Sequence, residues 1–491
     1  MNDTPPRTVD VLVIGAGTAG LNARRAAEVA GKSALLVDPG PFGTTCARIG
    51  CMPSKLLIAA AEAAHTARHA EGFGVRVPTV QIDGAAVFAR VRSERDRFAG
   101  FIVRDALEHE AEGRLLRGRA RFVGPGEAEV TADDGSVTPI RFTAAVVATG
   151  SSPFLPPPLR GLAAYPEGPL LDNETIFELD HVPQRALVVG AGVIGVELGQ
   201  ALARLGAAVT VVGIGGEIVG IQDAAVREAA VAIFATELDL HLDSPIASVE
   251  ARPEGGVVAR FTDRDGQSRQ EVFDVVLGAA GRRPNLGGLG LDAAGVALDA
   301  HGRPTALDRQ TLQLGETPIF LAGDVNELHP LLHEAADDGR GAGQNAARFP
   351  DVAVIPRSTP IGVVFSDPNV AFVGQRVRDL DPGRVCMGEA SFASQGRARV
   401  MRQNRGLIRL WADRESGVLL AAEGVGPRLE HMAHLLAWAV QQRMTVEVAL
   451  SMPFYHPVLE EGLRTALREL RRNLRRAPPL GQPCECITPG C

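Results

Sequence analysis

The hydrophobic pattern near the start of the chain predicts a strand, a helix and a second strand in close succession. Residues 9–14, VDVLVI, form a short apolar run rich in β-branched side chains, typical of a buried strand. The segment LNARRAAEVAG then has helical character and ends at Gly31, and SALLVD predicts a second strand ending at Asp38. This succession indicates a βαβ unit of a parallel sheet.

A second unit of the same kind occupies residues 186–213, with the strand ALVVG, the helix VELGQALARLGA and the strand AVTVVG. Both units carry G-x-G-x-x-G where the first strand meets the helix. These glycines are Gly15, Gly17 and Gly20 in the first unit and Gly190, Gly192 and Gly195 in the second. Such glycines let the backbone approach a pyrophosphate, to which the helix N-terminus offers N–H donors. The sequence therefore predicts two dinucleotide-binding units.

The two units differ at the end of the second strand. Asp38 lies 23 residues after Gly15, and Gly213 lies 23 residues after Gly190. Asp38 can accept hydrogen bonds from a ribose diol, whereas Gly213 cannot. The segment from Gly213 to Glu217 contains no arginine for a 2′-phosphate, and Glu217 would repel one if it points inward. This pattern favours NAD over NADP without excluding NADP.

The remaining pattern separates into several regions. Residues 53–110 are Ala-rich and helical in character, residues 115–150 predict short strands, and SSPFLPPPLRG indicates a hinge. A strand ending at Asp324 precedes a helix from about residue 331. Beyond residue 357 the predicted strands are 361–365, 370–374, 385–392, 398–402, 406–412 and 417–425, and the predicted helices are about 427–442 and 457–475.

Composition excludes several classes of protein. The 491 residues carry 50 Lys+Arg and 58 Asp+Glu, a net charge of −8, which argues against a general nucleic-acid binder. We expect no transmembrane helix, because no apolar run reaches the length that one needs. The start of the chain resembles no secretory signal, and six cysteines are too few for a disulfide scaffold, so we expect a cytoplasmic protein.

Two cysteines, Cys46 and Cys51, stand just before a helix that is predicted to begin near Pro53. A helix N-terminus and a nearby ammonium both favour a thiolate, and Lys55 is one of only two lysines in the chain. The pattern indicates a redox-active pair. The alternatives are half of a zinc site or two inert core thiols, but no second C-x-x-C or neighbouring histidine supplies further ligands.

A histidine near the C-terminus could serve such a pair. Thiol–disulfide exchange needs a proton acceptor near neutral pH, which suits His456. Pro457 predicts the start of a helix carrying Glu460 and Glu461, either of which could hold the imidazole. The alternative is that His456 only caps a helix. Cys386 is interpreted as a core residue of a strand.

The stretch from Gly43 to Lys55 closely resembles the redox-disulfide signature of the class I pyridine nucleotide–disulfide oxidoreductases, most closely that of the dihydrolipoamide dehydrogenases. The resemblance runs from about residue 8 to 475. Further motifs stand in the family's order: the glycine units, VVATG at 146–150, GAAGRRPN at 278–285, TPIFLAGD at 317–324 and the segment after Tyr455. The chain departs from the pattern at Thr44, where the family usually has glycine, and at Val458, where threonine is common.

The resemblance implies an α/β fold with two Rossmann-like domains, for FAD and NAD(P), and a C-terminal α+β dimerisation domain. The expected boundaries are 1–157 for the first part of the FAD domain, 158–285 for the NAD(P) domain, 286–356 for the return segment, 357–478 for the interface domain and 479–491 for a tail. It also implies a homodimer with shared active sites.

The resemblance further implies roles for individual residues. Cys51 would be the thiolate near the flavin, Cys46 the interchange thiol, and Lys55 would pair with Glu197 near the flavin. His456 of one subunit, with Glu461 as its partner, would reach the disulfide of the other. The implied FAD contacts are Gly15, Gly17, Gly20, Asp38, Thr45, Cys46, Lys55, Ala120, Thr149, Gly150 and Asp324. The implied NAD(P) contacts are Gly190, Gly192, Gly195, Glu197, Gly213, Gly281 and Arg282.

Two enzymatic functions fit these features. The first is oxidation of a dithiol, which could belong to a lipoyl-carrying protein, through the Cys46–Cys51 disulfide and FAD to NAD(P). The second is an NAD(P)H-dependent reductase of disulfides or soft metals such as Hg(II), in which Cys484, Cys486 and Cys491 of the tail act as a shuttle. Mercuric reductases, however, resemble this chain less at His456, where they have tyrosine. A third alternative is a non-catalytic FAD-binding or metal-buffering protein.

Overall fold

The computed structural model describes residues 5–165 and 168–476. Its helices are α1 Thr18–Val29, α2 Thr45–Ile49, α3 Cys51–Arg68, α4 Gly84–Ala111, α5 Val193–Leu205, α6 Ala224–Phe234, α7 Leu332–Arg348, α8 Gly396–Val400, α9 Leu429–Gln441, α10 Val446–Ser451 and α11 Glu461–Arg476. Within the described residues, none of these helices combines the length and the apolar character that crossing a membrane requires.

The strands follow in chain order. They are β1 Arg7–Ile14, β2 Ala34–Asp38, β3 Leu115–Arg117, β4 Arg119–Gly124, β5 Glu127–Thr131, β6 Val137–Val147, β7 Ser151–Pro153, β8 Leu170–Leu171, β9 Arg185–Val189, β10 Ala208–Val212, β11 Asp239–His241, β12 Ile246–Ala251, β13 Val257–Thr262, β14 Ser268–Phe273, β15 Val275–Gly278, β16 Arg282–Pro284, β17 Ile319–Leu321, β18 Ile361–Val364, β19 Asn369–Gly374, β20 Val385–Ser391, β21 Leu407–Asp413 and β22 Leu419–Gly426.

The chain divides into two compact units. The first comprises Met1–Leu56, Ala89–Phe154 and Gly281–Arg357, and the second Leu57–Phe88, Leu155–Ala280 and the chain from Ser358 onward. The chain changes unit at 154/155, 280/281 and 357/358, where the sequence suggested 157/158, 285/286 and 356/357. In addition, residues 57–88 belong to the second unit, although the sequence placed them in the first domain.

The first unit contains a sheet of order β3-β2-β1-β6-β5-β4, in which β17 also pairs with β6. A hydrophobic core covers each face of this sheet. Its central strands β2, β1, β6 and β17 are parallel. Side chains of β1 alternate between two cores, Val11 and Val13 packing on one face and Leu12 and Ile14 on the other. Burial on both faces explains why the strand sequence is continuously apolar.

Helices α1 and α7 pack closely against each other on one face of this sheet. A Cβ added at Gly339 would fall 2.1 Å from the carbonyl oxygen of Ala19, and one at Gly343 would fall 2.3 Å from that of Ala23. Only glycine allows this approach. The contact holds the N-terminus of α1 beside the chain that leaves β17, where the first nucleotide is expected to bind.

The second unit contains a parallel sheet of order β11-β10-β9-β15-β8 and an antiparallel sheet of β12, β13 and β14. It also contains the five-stranded antiparallel sheet β18-β19-β22-β21-β20. The core of this last sheet extends from Ala371 to Leu470 and includes side chains of α9 and α11. Cys386 is fully buried in it, as interpreted from the sequence.

Two sequence predictions of local structure are wrong, the strand at residues 398–402 and the start of helix α11. Residues 398–402 do not form a strand, because Gln395 caps the short helix α8, its side chain accepting a hydrogen bond from the Ala398 N–H. Helix α11 begins at Glu461 rather than at Pro457. Helix α3 begins at Cys51, two residues before Pro53 and so close to the predicted start.

Candidate active site

The segment that carries Cys46 and Cys51 forms the short helix α2 and the beginning of the longer helix α3. Thr44 is the N-cap of α2, and its hydroxyl accepts a hydrogen bond from the Ala47 N–H at 3.2 Å. Cys46 therefore lies in the first turn of α2, whereas Cys51 is the first residue of α3. Thr44 adopts φ 58°, a left-handed conformation that favours glycine. The turn that the family builds with glycine is thus kept here by a strained threonine.

The two cysteine side chains are hydrogen-bonded to each other, and this shapes their acidity. The hydrogen bond with Cys51, followed by burial, raises the pKa of Cys46 well above the ordinary value. The Lys55 ammonium lowers the pKa of Cys46, but it is the smaller influence. The expected lowering by Lys55 is therefore outweighed, and in the reduced pair Cys46 retains its proton. A nucleophilic Cys46 consequently needs a base.

The predicted partner Glu197 is buried in the second unit. Its carboxylate accepts a hydrogen bond from the Phe365 N–H at 2.7 Å. The Lys55 ammonium donates to the Ser54 hydroxyl at 3.3 Å within the first unit. Lys55 and Glu197 thus belong to different units, and their pairing stays a prediction.

His456 is held by the second of its two candidate glutamates. Its Nδ1 lies 3.1 Å from both carboxylate oxygens of Glu461, which also accepts from the Val458 N–H at 3.3 Å. The hydrogen bond with His456 is the main cause that lowers the pKa of Glu461. The imidazole is 80% exposed, so its Nε2 can meet a group outside its own unit. Spacing left Glu460 and Glu461 open, and the start of α11 at Glu461 decides between them.

Of the three glycines of the first nucleotide unit, two have no room for a side chain and the third faces open space. A Cβ at Gly15 would fall 2.3 Å from the Ala148 oxygen, and one at Gly20 would fall 1.8 Å from the Gly15 oxygen. A Cβ at Gly17, the N-cap of α1, would meet nothing within 4 Å. The space beside Gly17 is therefore available to a ligand at a helix N-terminus, and this cradle suits the pyrophosphate of FAD.

The second unit repeats this arrangement. A Cβ at Gly190 would fall 2.3 Å from the Ala279 oxygen, one at Gly195 would fall 2.0 Å from the Gly190 oxygen, and one at Gly192 would meet nothing within 4 Å. Gly192 caps α5 with φ −77°, as Gly17 caps α1 with φ −78°. The two predicted nucleotide cradles thus have the same construction.

The second strands of the two units end differently. The Asp38 carboxylate accepts from the N–H groups of Ala16 and Gly40, each at 2.7 Å, and so fixes the loops beside the cradle. A Cβ at Gly213 would fall 3.2 Å from the Leu242 oxygen. The Asp243 carboxylate orders this loop, accepting a hydrogen bond from the Gly215 N–H at 3.0 Å.

Two of the predicted flavin contacts, Ala120 and Thr45, lie in different surroundings: the first is buried and the second is exposed. The Ala120 side chain is buried in the core beneath β4, so this residue can offer a ligand only its backbone. Thr45, the first residue of α2, is exposed. Their contacts with FAD stay predictions.

A hydrogen-bond chain joins Arg282 to Asp324 through Ser151. The guanidinium donates to the Ser151 hydroxyl at 2.8 Å, and this hydroxyl donates to the Asp324 carboxylate at 2.8 Å. Gly281, the preceding residue, has φ 111°. Ser151 was not among the predicted site residues. It adjoins the VVATG motif, but no local pattern shows that it meets residues 131 and 173 positions further along.

Asn285 is a second residue that the sequence missed. The Thr149 hydroxyl donates to the Asn285 carbonyl oxygen at 2.7 Å, and the Asn285 amide donates to the Thr149 carbonyl oxygen at 3.0 Å. The Asn285 N–H donates to the Gly150 oxygen, where φ is 68°. The end of GAAGRRPN therefore fixes the turn of VVATG.

The tail cysteines Cys484, Cys486 and Cys491 lie outside the described residues.

Comparison with known proteins identifies the family. The model of the pyridine nucleotide-disulphide oxidoreductases matches residues 9–339, and that of their dimerisation domain matches residues 361–467. The chain belongs to this family of oxidoreductases. The matched dimerisation domain supports a homodimer.

Individual relatives agree over nearly the whole chain. A dihydrolipoyl dehydrogenase of Haloferax volcanii is 32% identical, covering 93% of this chain and 95% of the relative. A mercuric reductase of Acidithiobacillus ferrooxidans is 31% identical, covering 95% and 83%. The crystal structure of LpdA from Mycobacterium tuberculosis has 28% identity and a TM-score of 0.79, covering 94% of this chain and 100% of that one. The match with dihydrolipoyl dehydrogenases supports a dithiol–disulfide oxidoreductase that uses FAD and NAD(H).

Proposed function

We propose that the protein oxidises a dithiol at the Cys46–Cys51 pair and passes the electrons through FAD to NAD⁺. The observation that carries the proposal is the contact between the thiol of Cys46 in α2 and that of Cys51 at the start of α3, which raises the pKa of Cys46. Relatives that are named dihydrolipoyl dehydrogenases support it. A lipoyl-carrying protein as substrate and a cytoplasmic location are further parts of the proposal.

In this mechanism His456 of one protomer serves the disulfide of its partner. Nε2 of His456 takes the proton from a substrate thiol, while Glu461 holds Nδ1 and balances the imidazolium. The substrate thiolate attacks Sγ of Cys46, the Cys46–Cys51 bond breaks, and Cys51 leaves as a thiolate. The helix N-terminus at Cys51 stabilises this charge.

The second substrate thiol releases its proton to the surrounding water and then attacks, as a thiolate, the substrate sulfur that is bonded to Cys46, so that the Cys46 sulfur leaves. The substrate leaves as a disulfide, and Cys46 takes the proton held by His456, in agreement with its raised pKa. Two electrons and two protons have left the substrate, and the cysteine pair has been reduced. Bound FAD and NAD⁺ supply the electron-accepting chemistry that returns the pair to the disulfide.

The cradles at Gly17 and Gly192 fit these two cofactors, and further residues orient them. Asp324 is expected to bind the ribityl chain, with its carboxylate held by the Ser151 hydroxyl. For the nicotinamide cofactor we propose NAD⁺. The N–H groups of Gly215 and Gly216 already donate to Asp243 and Leu242, so they are not available to a 2′-phosphate.

The test is the rate of dihydrolipoamide oxidation by the FAD-loaded protein, with NAD⁺ compared with NADP⁺. A chain ending at Pro483 is measured beside the full chain. Fast turnover with NAD⁺ that truncation leaves unchanged supports the proposal and makes the tail accessory. Negligible turnover, together with NAD(P)H-driven reduction of a disulfide or of Hg(II) that requires the tail, would instead establish the reductase. The mercuric reductase relative favours that second candidate.

A further inference from the structure

The outer face of helix α11 carries a row of arginines. Arg464, Arg468 and Arg472 stand at positions i, i+4 and i+8, and all three are exposed. At the rise of an α-helix this row is about 12 Å long. The opposite face of α11 is buried, with Leu467 and Leu470 in the core of the second unit. Helix α11 can therefore offer a partner only the charge of its outer face.

The row is not explained by the stability of the helix, because like charges four positions apart repel each other. Arg468 and Arg472 form no ion pair within the part of the chain that the structure describes. Arg471 and Arg475 differ in this respect, since their guanidinium groups lie 3.5 and 3.2 Å from the carboxylate of Glu447. Helix α11 thus holds two neutralised arginines and two arginines whose charge faces solvent.

The row begins beside the segment that carries His456. The Arg464 guanidinium lies 5.8 Å from the centre of the Phe454 ring, two residues before the histidine. Glu461, the first residue of α11, holds Nδ1 of the imidazole. The row therefore starts next to the base that takes the proton of the substrate thiol in the proposed mechanism.

Helix α8 adds positive charge beside the same segment. The Gln395 side chain, which caps α8, donates a hydrogen bond to the Val458 carbonyl oxygen at 2.7 Å. Arg397 and Arg399 of α8 are exposed and form no ion pair among the described residues. Two separate helices thus place positive charge around His456, although the net charge of the chain is −8.

We propose that the arginine surface, formed by Arg397, Arg399, Arg464, Arg468 and Arg472, docks an acidic protein that carries the dithiol. The inference rests on the proposed function and specifies the partner as a carrier whose surface around the dithiol is rich in Asp and Glu. Charges further away than about 10 Å are largely screened, so the acidic remainder of the chain does not cancel this local field. Complementary charge speeds encounter and orients the partner. A small neutral dithiol would gain nothing from these arginines.

The first arm of the test uses two synthetic peptides of equal length, each with one dihydrolipoyl-lysine. Aspartates flank this lysine in one peptide and asparagines in the other, so the dithiol is identical and only the charge differs. We expect kcat/KM of the wild type to be about tenfold higher for the acidic peptide at about 20 mM salt. Screening should lower this preference several-fold at about 500 mM salt.

The double variant Arg468→Gln/Arg472→Gln should lower the preference for the acidic peptide about three- to fivefold at low salt, since exposed ion pairs are individually weak. Arg468→Lys/Arg472→Lys keeps the charges and should lose less. Arg264→Gln/Arg376→Gln is the matched control, because it removes the same number of exposed charges from the second unit. Arg264 lies between β13 and β14 and Arg376 between β19 and β20, both outside the arginine surface.

The second arm does not depend on turnover. An acidic peptide without the lipoyl group, labelled with a rhodamine dye, is titrated with the FAD-loaded full chain and followed by fluorescence anisotropy. We expect Kd to be about three- to fivefold higher in Arg468→Gln/Arg472→Gln than in the wild type, with no change in the control variant. Analytical ultracentrifugation of the same samples measures the mass of the dimer.

The outcomes separate the docking surface from the proposed function. If dihydrolipoamide is oxidised but the peptide preference and Kd stay within twofold of the wild type in Arg468→Gln/Arg472→Gln, the docking surface is overturned and the proposed function stands. If no dithiol is oxidised but the variant still weakens peptide binding, the proposed function fails and the binding of an acidic partner stands. A dimer that dissociates in the variant would assign these arginines to the contact between protomers and overturn the docking proposal. A fall in both preference and affinity with an intact dimer supports both proposals.

Discussion

Nδ1 of His456 lies 3.1 Å from both carboxylate oxygens of Glu461, so the imidazole is oriented from one side while its Nε2 faces outward. Such a contact fixes the tautomer that can accept a proton at Nε2. In the proposed mechanism Nε2 takes a proton from the substrate thiol and later gives it to Cys46, whose raised pKa favours the protonated thiol. We propose that His456 of one protomer and Cys46 of its partner take part in the same proton transfer.

Glu461→Gln should therefore lower kcat for dithiol oxidation by about 10- to 100-fold, because a neutral amide cannot balance the imidazolium. The hydrogen bond lowers the pKa of Glu461, so its charge is present throughout neutral pH and is lost only as the pH falls through that lowered value. We expect the deficit to persist from about pH 6 to 8 in steady-state assays. Glu460→Gln is the matched control, and a similar loss in both variants would contradict the assignment.

Cys51→Ala should make Cys46 more reactive toward iodoacetamide. Removing the hydrogen bond with Cys51 removes the largest cause that raises the pKa of Cys46, so more thiolate is present at about pH 7.5. We expect an increase of several-fold in the alkylation rate of the Cys46 peptide. Fully buried Cys386 is the internal reference for a folded protein and should stay unmodified. A slower reaction at Cys46 would reverse the assigned direction.

The local parts of this site could be predicted from sequence because short-range patterns encode them. The glycine spacing around Gly15 and Gly190 demands a strand-to-helix turn, and the structure has that turn in both units. Long-range links could not be predicted in this way. Ser151 meets Arg282 and Asp324 only because β7 pairs with β16 near the end of β17.

Weak local signals also account for the wrong element at residues 398–402. Its apolar side chains Ala398, Val400 and Met401 fit a short strand, but a capping interaction from Gln395 outside the segment selects a helix. Similarly, the choice of Glu461 over Glu460 depends on where α11 begins, which the proline at 457 does not specify.

Alanine substitutions at Gly192 and Gly195 of the second nucleotide unit should have different effects, because only Gly192 has room for a side chain. Gly192→Ala should leave the fold and the FAD content unchanged but raise KM for NAD⁺ about tenfold or more, because the new methyl group occupies ligand space. Gly195→Ala should prevent correct folding of the unit, since its Cβ would fall 2.0 Å from a carbonyl oxygen. Circular dichroism, flavin absorbance and NAD⁺ kinetics distinguish the two. Equal effects would argue against the cradle.

Thr44 combines a favourable cap with an unfavourable backbone conformation. Its side chain caps α2, worth about 1 kcal/mol, whereas its φ of 58° costs a similar amount. Thr44→Ala loses the cap and keeps the strain, while Thr44→Gly loses both. Both variants lose the cap, so they differ by the strain alone, and we expect the alanine variant to be less stable than the glycine variant by about 1 kcal/mol in denaturant unfolding. The reverse order would show that the turn is not strained.

The free energy of unfolding is expected to depend on pH below neutrality because of the buried carboxyl group of Glu423. It is 3% exposed in β22 and accepts hydrogen bonds from the N–H groups of Gln222 and Asp223 at 3.0 and 2.7 Å, just before α6. Burial raises its pKa from 4.5 to about 7, with the charge of Asp223 adding to the rise. The folded protein therefore binds this proton more tightly than the unfolded chain, which costs stability as the pH rises from about 4.5 to 7.

Glu423→Gln should remove this dependence, because its amide oxygen can accept the same two hydrogen bonds without a charge. The full shift corresponds to about 3 kcal/mol, an upper bound for a fully buried group. Relative to the wild type, we expect the variant to gain more stability at about pH 8 than at about pH 5 in thermal unfolding. Glu415→Gln, an exposed acid of the same unit, is the control. If the Glu423→Gln variant is destabilised equally at both pH values, the carboxylate is charged in the folded protein and its contact with α6 is an ordinary cap.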